Sequence, residues 1–176
     1  ASDVYKRQDV NNRRFSLAAG WEDYDNDGDQ DLYVANDFGR NNLYRNNNGT
    51  FTDIAPAVQG EDRASGMSVS WGDVDRDGLM DLYVANMFSA AGNRIAPQAG
   101  FSPGSSEETR KALLRFARGN TLLLQKGEEF TDASEELGVT MGRWAWSSMF
   151  ADINSDGWDD LLVANGYITT PDTGDL

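Results

Sequence analysis

Short runs of apolar residues alternate with turn-forming residues along most of this chain. The run "DLYVAN" stands at 31–36 and 81–86, and "DLLVAN" at 160–165. Each combines β-branched and aromatic or leucine side chains over a length typical of a strand. In "SGMSVSWGD" (65–73), Met67, Val69 and Trp71 fall on one face of an extended chain, and in "WAWSSMFAD" (144–152) Trp144, Trp146 and Phe150 do the same. "NNLYRNNNGTFTDIA" (41–55) reads as a hairpin, because Asn48-Gly49 supplies the positive φ angles that a tight turn demands. Its near-copy is "NTLLLQKGEEFTDAS" (120–134), with Gly127 at the turn.

These pieces recur in a fixed order. An aromatic residue (Trp21, Trp71, Phe150) precedes an acidic string, then a "VAN" strand and then the second hairpin. The acidic strings are "DYDNDGDQD" at 23–31, "DVDRDGLMD" at 73–81 and "DINSDGWDD" at 152–160. One unit is four short strands in two hairpins, about 50 residues long, which is the size and content of a propeller blade. The interval between the second and third strings is longer because of an insertion between Asn86 and Asn120. The spacing predicts an all-β chain, a partial β-propeller of four-stranded blades with two full units and the start of a third. Residues 1–14 are unassigned, 15–60 form unit one, 61–139 form unit two with a helical insertion at 88–118, and 140–176 begin unit three. Both ends read as cut. Within the insertion, "SSEETRKALLRFARG" (105–119) predicts a helix, with Ser105 and Glu108 as a capping box and Gly119 as its stop. Thr109, Ala112, Leu113 and Phe116 make its apolar stripe, and Arg110, Lys111, Arg115 and Arg118 a basic patch.

Charge narrows the partners. The chain carries 15 Lys+Arg against 29 Asp+Glu, a net charge of −14. Nucleic acid and anionic membrane surfaces attract positive fields and are poor partners, and no apolar run is long enough to insert in a bilayer. There is no cysteine, which excludes disulfides, thiol catalysis and Cys-ligated zinc, and no histidine, the residue most used as a general acid or base.

The acidic strings carry the chemistry. Two unit charges about 4 Å apart repel by roughly 4 kcal/mol at an effective dielectric near 20. Carboxylates at alternate positions of one tight loop therefore need a counter-charge. Converging hard oxygens around a sharp glycine turn suit Ca²⁺, and Mg²⁺ less well because it demands a smaller octahedral cage. The expected ligands are side chains at positions 1, 3, 5 and 9 and the backbone carbonyl at position 7. Loop one offers Asp23, Asp25, Asp27, Asp31 and the carbonyl of Asp29. Loop two offers Asp73, Asp75, Asp77, Asp81 and the carbonyl of Leu79. Loop three offers Asp152, Asn154, Asp156, Asp160 and the carbonyl of Trp158, and its Asn154 marks it as the weakest of about three sites. An EF-hand is ruled out, since position 12 is Val34, Val84 or Val163 rather than a glutamate. The alternative is a solvated acidic turn.

"DxDxDGxxDLYVAN" paired with "NxLYRNxxGTFTD" resembles the FG-GAP/VCBS repeat of integrin-α-type β-propellers. "GRWAWSSMFADINSDGWDDLLVANGYI" (142–168) resembles more closely the ASPIC/UnbV-associated group that includes cartilage acidic protein. The resemblance implies calcium in the first hairpin of each blade and a parent propeller of seven blades, whose remaining blades would be partners of this piece. It also implies a secreted, periplasmic or cell-surface protein acting in adhesion or recognition toward a protein or glycan ligand, rather than an enzyme. The competing reading is a lyase or glycosidase fragment on a propeller, for which a non-loop acid such as Glu128 or Glu135 would have to serve. The aromatic residues Trp21, Trp71, Trp144, Trp146 and Phe150 are expected between blades. The basic helix is expected to pack on the blades with its cations toward their acidic surface. Asn48-Gly49-Thr50 is also a glycosylation sequon.

Overall fold

A computed structural model describes residues 10, 12–98 and 100–166. The N-terminal segment before residue 10 and the end of the third unit beyond 166 lie outside the described residues. Ten strands and two helices form in the order β1 (Phe15–Glu22), β2 (Asp31–Asp37), β3 (Asn42–Asn47), β4 (Thr50–Asp53), β5 (Gly66–Gly72), β6 (Asp81–Asn86), α1 (Ala90–Ile95), α2 (Glu107–Arg118), β7 (Thr121–Lys126), β8 (Glu129–Asp132), β9 (Ala145–Ala151) and β10 (Asp160–Asn165). They make two four-stranded antiparallel sheets, β1-β2-β3-β4 and β5-β6-β7-β8, and a two-stranded sheet, β9-β10. This is the predicted all-β arrangement, a partial propeller of open, four-stranded blades.

The sheets stack face to face, with β5 lying against β1 on one side and β9 on the other. Close approach is possible because the first blade presents a glycine where the second presents an aromatic ring. A Cβ on Gly20 would stand 2.8 Å from Val69 and 3.2 Å from the Trp71 indole nitrogen. Between blades one and two the core holds Tyr24, Tyr33, Leu43 and Val58 against Leu82, Val84, Leu123 and Phe130. Trp71 meets Tyr33 edge-on (centroids 6.2 Å, 88°), and Tyr24 stacks on Phe130 at 6.1 Å. Between blades two and three, Tyr83 and Leu122 receive Phe150, again edge-on at 6.2 Å. Burying such rings is the main favourable term holding the blades together.

Two expectations about the aromatic residues need correction. Trp21 is 55% exposed and Trp146 is 47% exposed. Trp21 projects from β1 away from blade two, and no blade precedes it among the described residues. Trp146 is displaced by a β-bulge: Ala164 pairs with Ser147 and Asn165 with Ala145, so Trp146 is the extra residue. The same irregularity recurs between Ser16 and Ala18 and between Gly66 and Ser68, which takes Met67 out of the alternation with Val69 and Trp71. A two-residue period cannot be carried across a bulge, and nothing in the local composition announces one.

The insertion folds as two helices rather than one. Ser89 caps α1, accepting from Gly92 N. Ser106, not Ser105, caps α2, with its hydroxyl 3.2 Å from Thr109 N, so the expected pairing of Ser105 with Glu108 is off by one residue. Glu107 and Glu108 then sit in the first turn and Arg115 and Arg118 in the last, each favourable to the helix dipole. Gly119 ends the helix at φ 103°. The buried contact of α2 is Ala117, Thr109 is exposed, and Phe116 stacks on Phe38 of blade one at 5.6 Å.

Candidate metal centre

Each acidic string is the turn between the first two strands of a blade, and the three loops share one internal wiring. The position-1 carboxylate bridges two backbone N–H groups across the turn. Asp23 accepts from Asp27 N (3.0 Å) and Gly28 N (2.9 Å), Asp73 from Asp77 N and Gly78 N (both 3.0 Å), and Asp152 from Asp156 N (3.1 Å) and Gly157 N (2.8 Å). The position-5 carboxylate accepts from the N–H of position 7: Asp29 N to Asp27, Leu79 N to Asp77, Trp158 N to Asp156. Two left-handed residues make the turn, the expected glycine (Gly28 at φ 94°, Gly78 and Gly157 at 85°) and position 4, where Asn26, Arg76 and Ser155 stand at 57–62°. Only Asn26 hints at that conformation from sequence.

The position-9 aspartate does more than close a ring. Asp31 is fully buried and accepts from Tyr24 N at 3.1 Å and from Asn46 N at 2.7 Å. Asp81 repeats this with Val74 N at 2.9 Å and Gln125 N at 2.8 Å. It therefore ties the acidic loop to the third strand of its own blade. Asp160 keeps the first of these bonds, from Ile153 N at 3.2 Å. Burial pushes the Asp31 carboxyl up to about 6, against the two backbone hydrogen bonds that favour its ionised form. Burial likewise raises Asp81.

The sign of this shift gives a pH prediction for the ion-free protein. Folded Asp31 holds its proton to higher pH than the unfolded chain does. Its favourable contribution is complete below about pH 4 and is lost as pH rises through about 6, by at most about 3 kcal/mol. In calcium-free urea melts, wild type should lose stability over that window relative to Asp31→Asn. Parallel curves for the two proteins would contradict the assignment.

In two of the three loops, three of the four predicted side chains gather, with Asp31 outside the first trio and Asp77 outside the second. Carboxylate oxygens of Asp23, Asp25 and Asp27 lie within 4.8 Å of one another, as do those of Asp73, Asp75 and Asp81. In loop three, Asn154 hydrogen-bonds Asp156 at 3.0 Å, and no such trio of carboxylates gathers among the described residues. The Asp29 side chain is turned to Asn48 N, 2.6 Å away, which fits its expected role through the carbonyl alone. One oxygen tests the fit of a cation directly. Asp25 Oδ1 is buried and has no hydrogen-bond partner, and none of the ion pairs formed by described residues includes Asp23, Asp25 or Asp27. Burial is the leading cause that raises the Asp25 pKa, followed by the charge of Asp27. A hard cation in loop one would relieve all of this at once, so the donor set fits the ion predicted from sequence.

Adjacent loops are also linked. Gln125 donates from Nε2 to the carbonyl of Tyr24, at position 2 of loop one, over 2.9 Å. The Arg76 guanidinium of loop two sits 3.8 Å over the Trp158 ring of loop three.

Three features escaped the sequence reading. Lys126 reaches into loop two, 2.5 Å from Asp75 and 2.9 Å from Asp77. Asp62, fully buried, receives Arg115 of α2 at 2.9 Å, Thr121 Oγ1 at 2.8 Å and Asn86 Nδ2 at 2.9 Å. Asn36 and Asn86 are buried at the blade end opposite the acidic loops, where their N–H groups donate to Asn41 and Asn120. The first two had no local signal, because each partner is distant in the chain. The asparagines were visible as repeats without a stated reason. Arg118 pairs with Asp132 at 2.8 Å, so Arg115 and Arg118 do face acidic blade residues as expected.

No helix among the described residues is long and apolar enough to cross a membrane. Comparison with curated proteins finds no match. Family models do match: residues 23–84 fit the FG-GAP-like repeat and residues 65–104 the FG-GAP repeat. The first match spans both loops whose carboxylates converge, and over residues 23–104 the chain is similar to FG-GAP repeats, the repeat type of integrin-like extracellular binding propellers.

Proposed function

We propose that this chain is part of a calcium-stabilised propeller that serves as an extracellular or cell-surface binding scaffold. The observation that carries the reading is the buried, unpartnered Asp25 oxygen within a trio of converging carboxylates. Asp23, Asp25, Asp27 and Asp31 with the Asp29 carbonyl would hold one ion, and the corresponding residues of loops two and three would hold the others. The ion supplies the positive charge that lets those oxygens crowd together. The protein's own residues supply the frame, since positions 1, 5 and 9 fix the loop backbone through hydrogen bonds. The FG-GAP similarity supports a role in recognition, with a protein or glycan as ligand. The narrower ASPIC/UnbV likeness rests on the motif at 142–168.

Calorimetric titration of the metal-free protein with CaCl₂ tests this. About three ions should bind, with dissociation constants near the 10⁻⁴–10⁻³ M typical of extracellular modules. A flat isotherm would end the reading.

A further inference from the structure

Loops one and two have identical acids at positions 1, 3, 5 and 9. Position 7 is Asp29 in one and Leu79 in the other, the facing strand carries Arg45 in blade one and Leu124 in blade two, and one further difference places a cation on the carboxylates themselves. In blade one, the last residue of β3 is Asn47, which pairs with Thr50. In blade two, the same place at the end of β7 is Lys126, which pairs with Glu129. The Lys126 ammonium lies 2.5 Å from Asp75 Oδ2 and 2.9 Å from Asp77 Oδ2. Asp75 belongs to the trio that converges with Asp73 and Asp81. The equivalent carboxylate of loop one, Asp25, has instead an oxygen with no partner.

We propose that Lys126 is a tethered cation that occupies loop two in the ion-free protein and must leave before a divalent ion binds there, so that loop two is the weaker of the two sites that share the same four acids. The inference rests on the calcium reading of these loops. An ammonium hydrogen-bonded to the position-3 and position-5 carboxylates uses the oxygens that a metal would take, and its charge opposes the incoming ion. Departure is feasible. The lysine side chain is half exposed on a flexible stem, and exposed pairs of this kind contribute little to stability. In loop one Asn47 offers no cation and the Arg45 guanidinium acts on Asp25 without forming an ion pair, so loop one takes its ion first. At calcium concentrations between the two affinities, the protein would hold an ion in blade one and a lysine in blade two.

Three proteins test this by calorimetric titration with CaCl₂: wild type, Lys126→Gln and Asn47→Lys. Lys126→Gln should strengthen one site by up to about fivefold and leave the others unchanged. Asn47→Lys should weaken a different site by a similar factor. In parallel, the side-chain ammonium resonance of Lys126 in ¹⁵N-labelled wild type, assigned from its absence in Lys126→Gln, should be protected without calcium and lost to exchange as calcium is added. An isotherm unchanged or weakened by Lys126→Gln, while wild type still binds calcium, would overturn the lysine proposal and leave the calcium reading standing. A Lys126 ammonium that exchanges freely without calcium would also overturn it, whether or not Asn47→Lys folds. Absence of calcium binding in all three proteins would overturn both.

Discussion

Removing calcium should lower the melting temperature of this protein by about 10 °C. At ten times the dissociation constant, one bound ion stabilises the folded state by roughly 1.4 kcal/mol, and three together by about 4 kcal/mol. A chain of this size shifts by about 2–4 °C per kcal/mol. The backbone N–H groups of each loop are already satisfied by its own aspartates, so the loops keep their shape and the loss appears as lower stability of a still-folded chain. Magnesium should restore little, because a pre-shaped turn with its carboxylates committed to backbone bonds cannot contract to a small octahedral cage. Scanning calorimetry with CaCl₂, with MgCl₂ and with chelator gives the comparison. Coincident transitions in calcium and chelator would show that the carboxylates manage without an ion.

The second large effect lies at the opposite end of the blades. Asp62→Ala should cost about 3–5 kcal/mol. The change leaves Arg115, Thr121 and Asn86 without the carboxylate they share. Asp62 is not itself a comfortable charge. Burial raises its pKa despite the hydrogen bonds from Asn86 and Thr121 and the positive charge of Arg118, so desolvation outweighs attraction. A buried pair of this kind contributes little when intact and costs much when half of it is removed. The double variant Asp62→Ala/Arg115→Ala should therefore lose clearly less than the sum of the single changes, because it leaves neither the buried carboxylate nor the half-buried guanidinium without the other. Urea unfolding of the four proteins closes the cycle. A single-variant cost below about 1 kcal/mol, or strict additivity, would show that the Asp62–Arg115 pair does not hold the helical insertion, leaving Ala117, Phe116 and the Arg118–Asp132 pair to do so.

What the sequence disclosed divides along a physical line. Features set by neighbours in the chain were legible: the acidic turns, the strands behind them, and the Asn48-Gly49 turn, whose φ angles of 51° and 89° are those expected. Features set by partners far along the chain were not. Lys126 meets loop two across the blade, and Asp62 meets Arg115 through the insertion. Position 9 was read as a ligand from its spacing, but its second task, fastening the loop to the third strand, needs the sheet pairing. Trp146 was misplaced because a bulge shifts parity without leaving a local mark.

The Arg76 guanidinium over Trp158 gives the molecule an optical reporter. A cation above an indole ring alters its emission, and this ring is half exposed and belongs to the third acidic turn. When ions reorganise the second and third turns, the two side chains should shift relative to each other. Fluorescence from that single indole, isolated by replacing the other four, would then follow occupancy at one end of the fan.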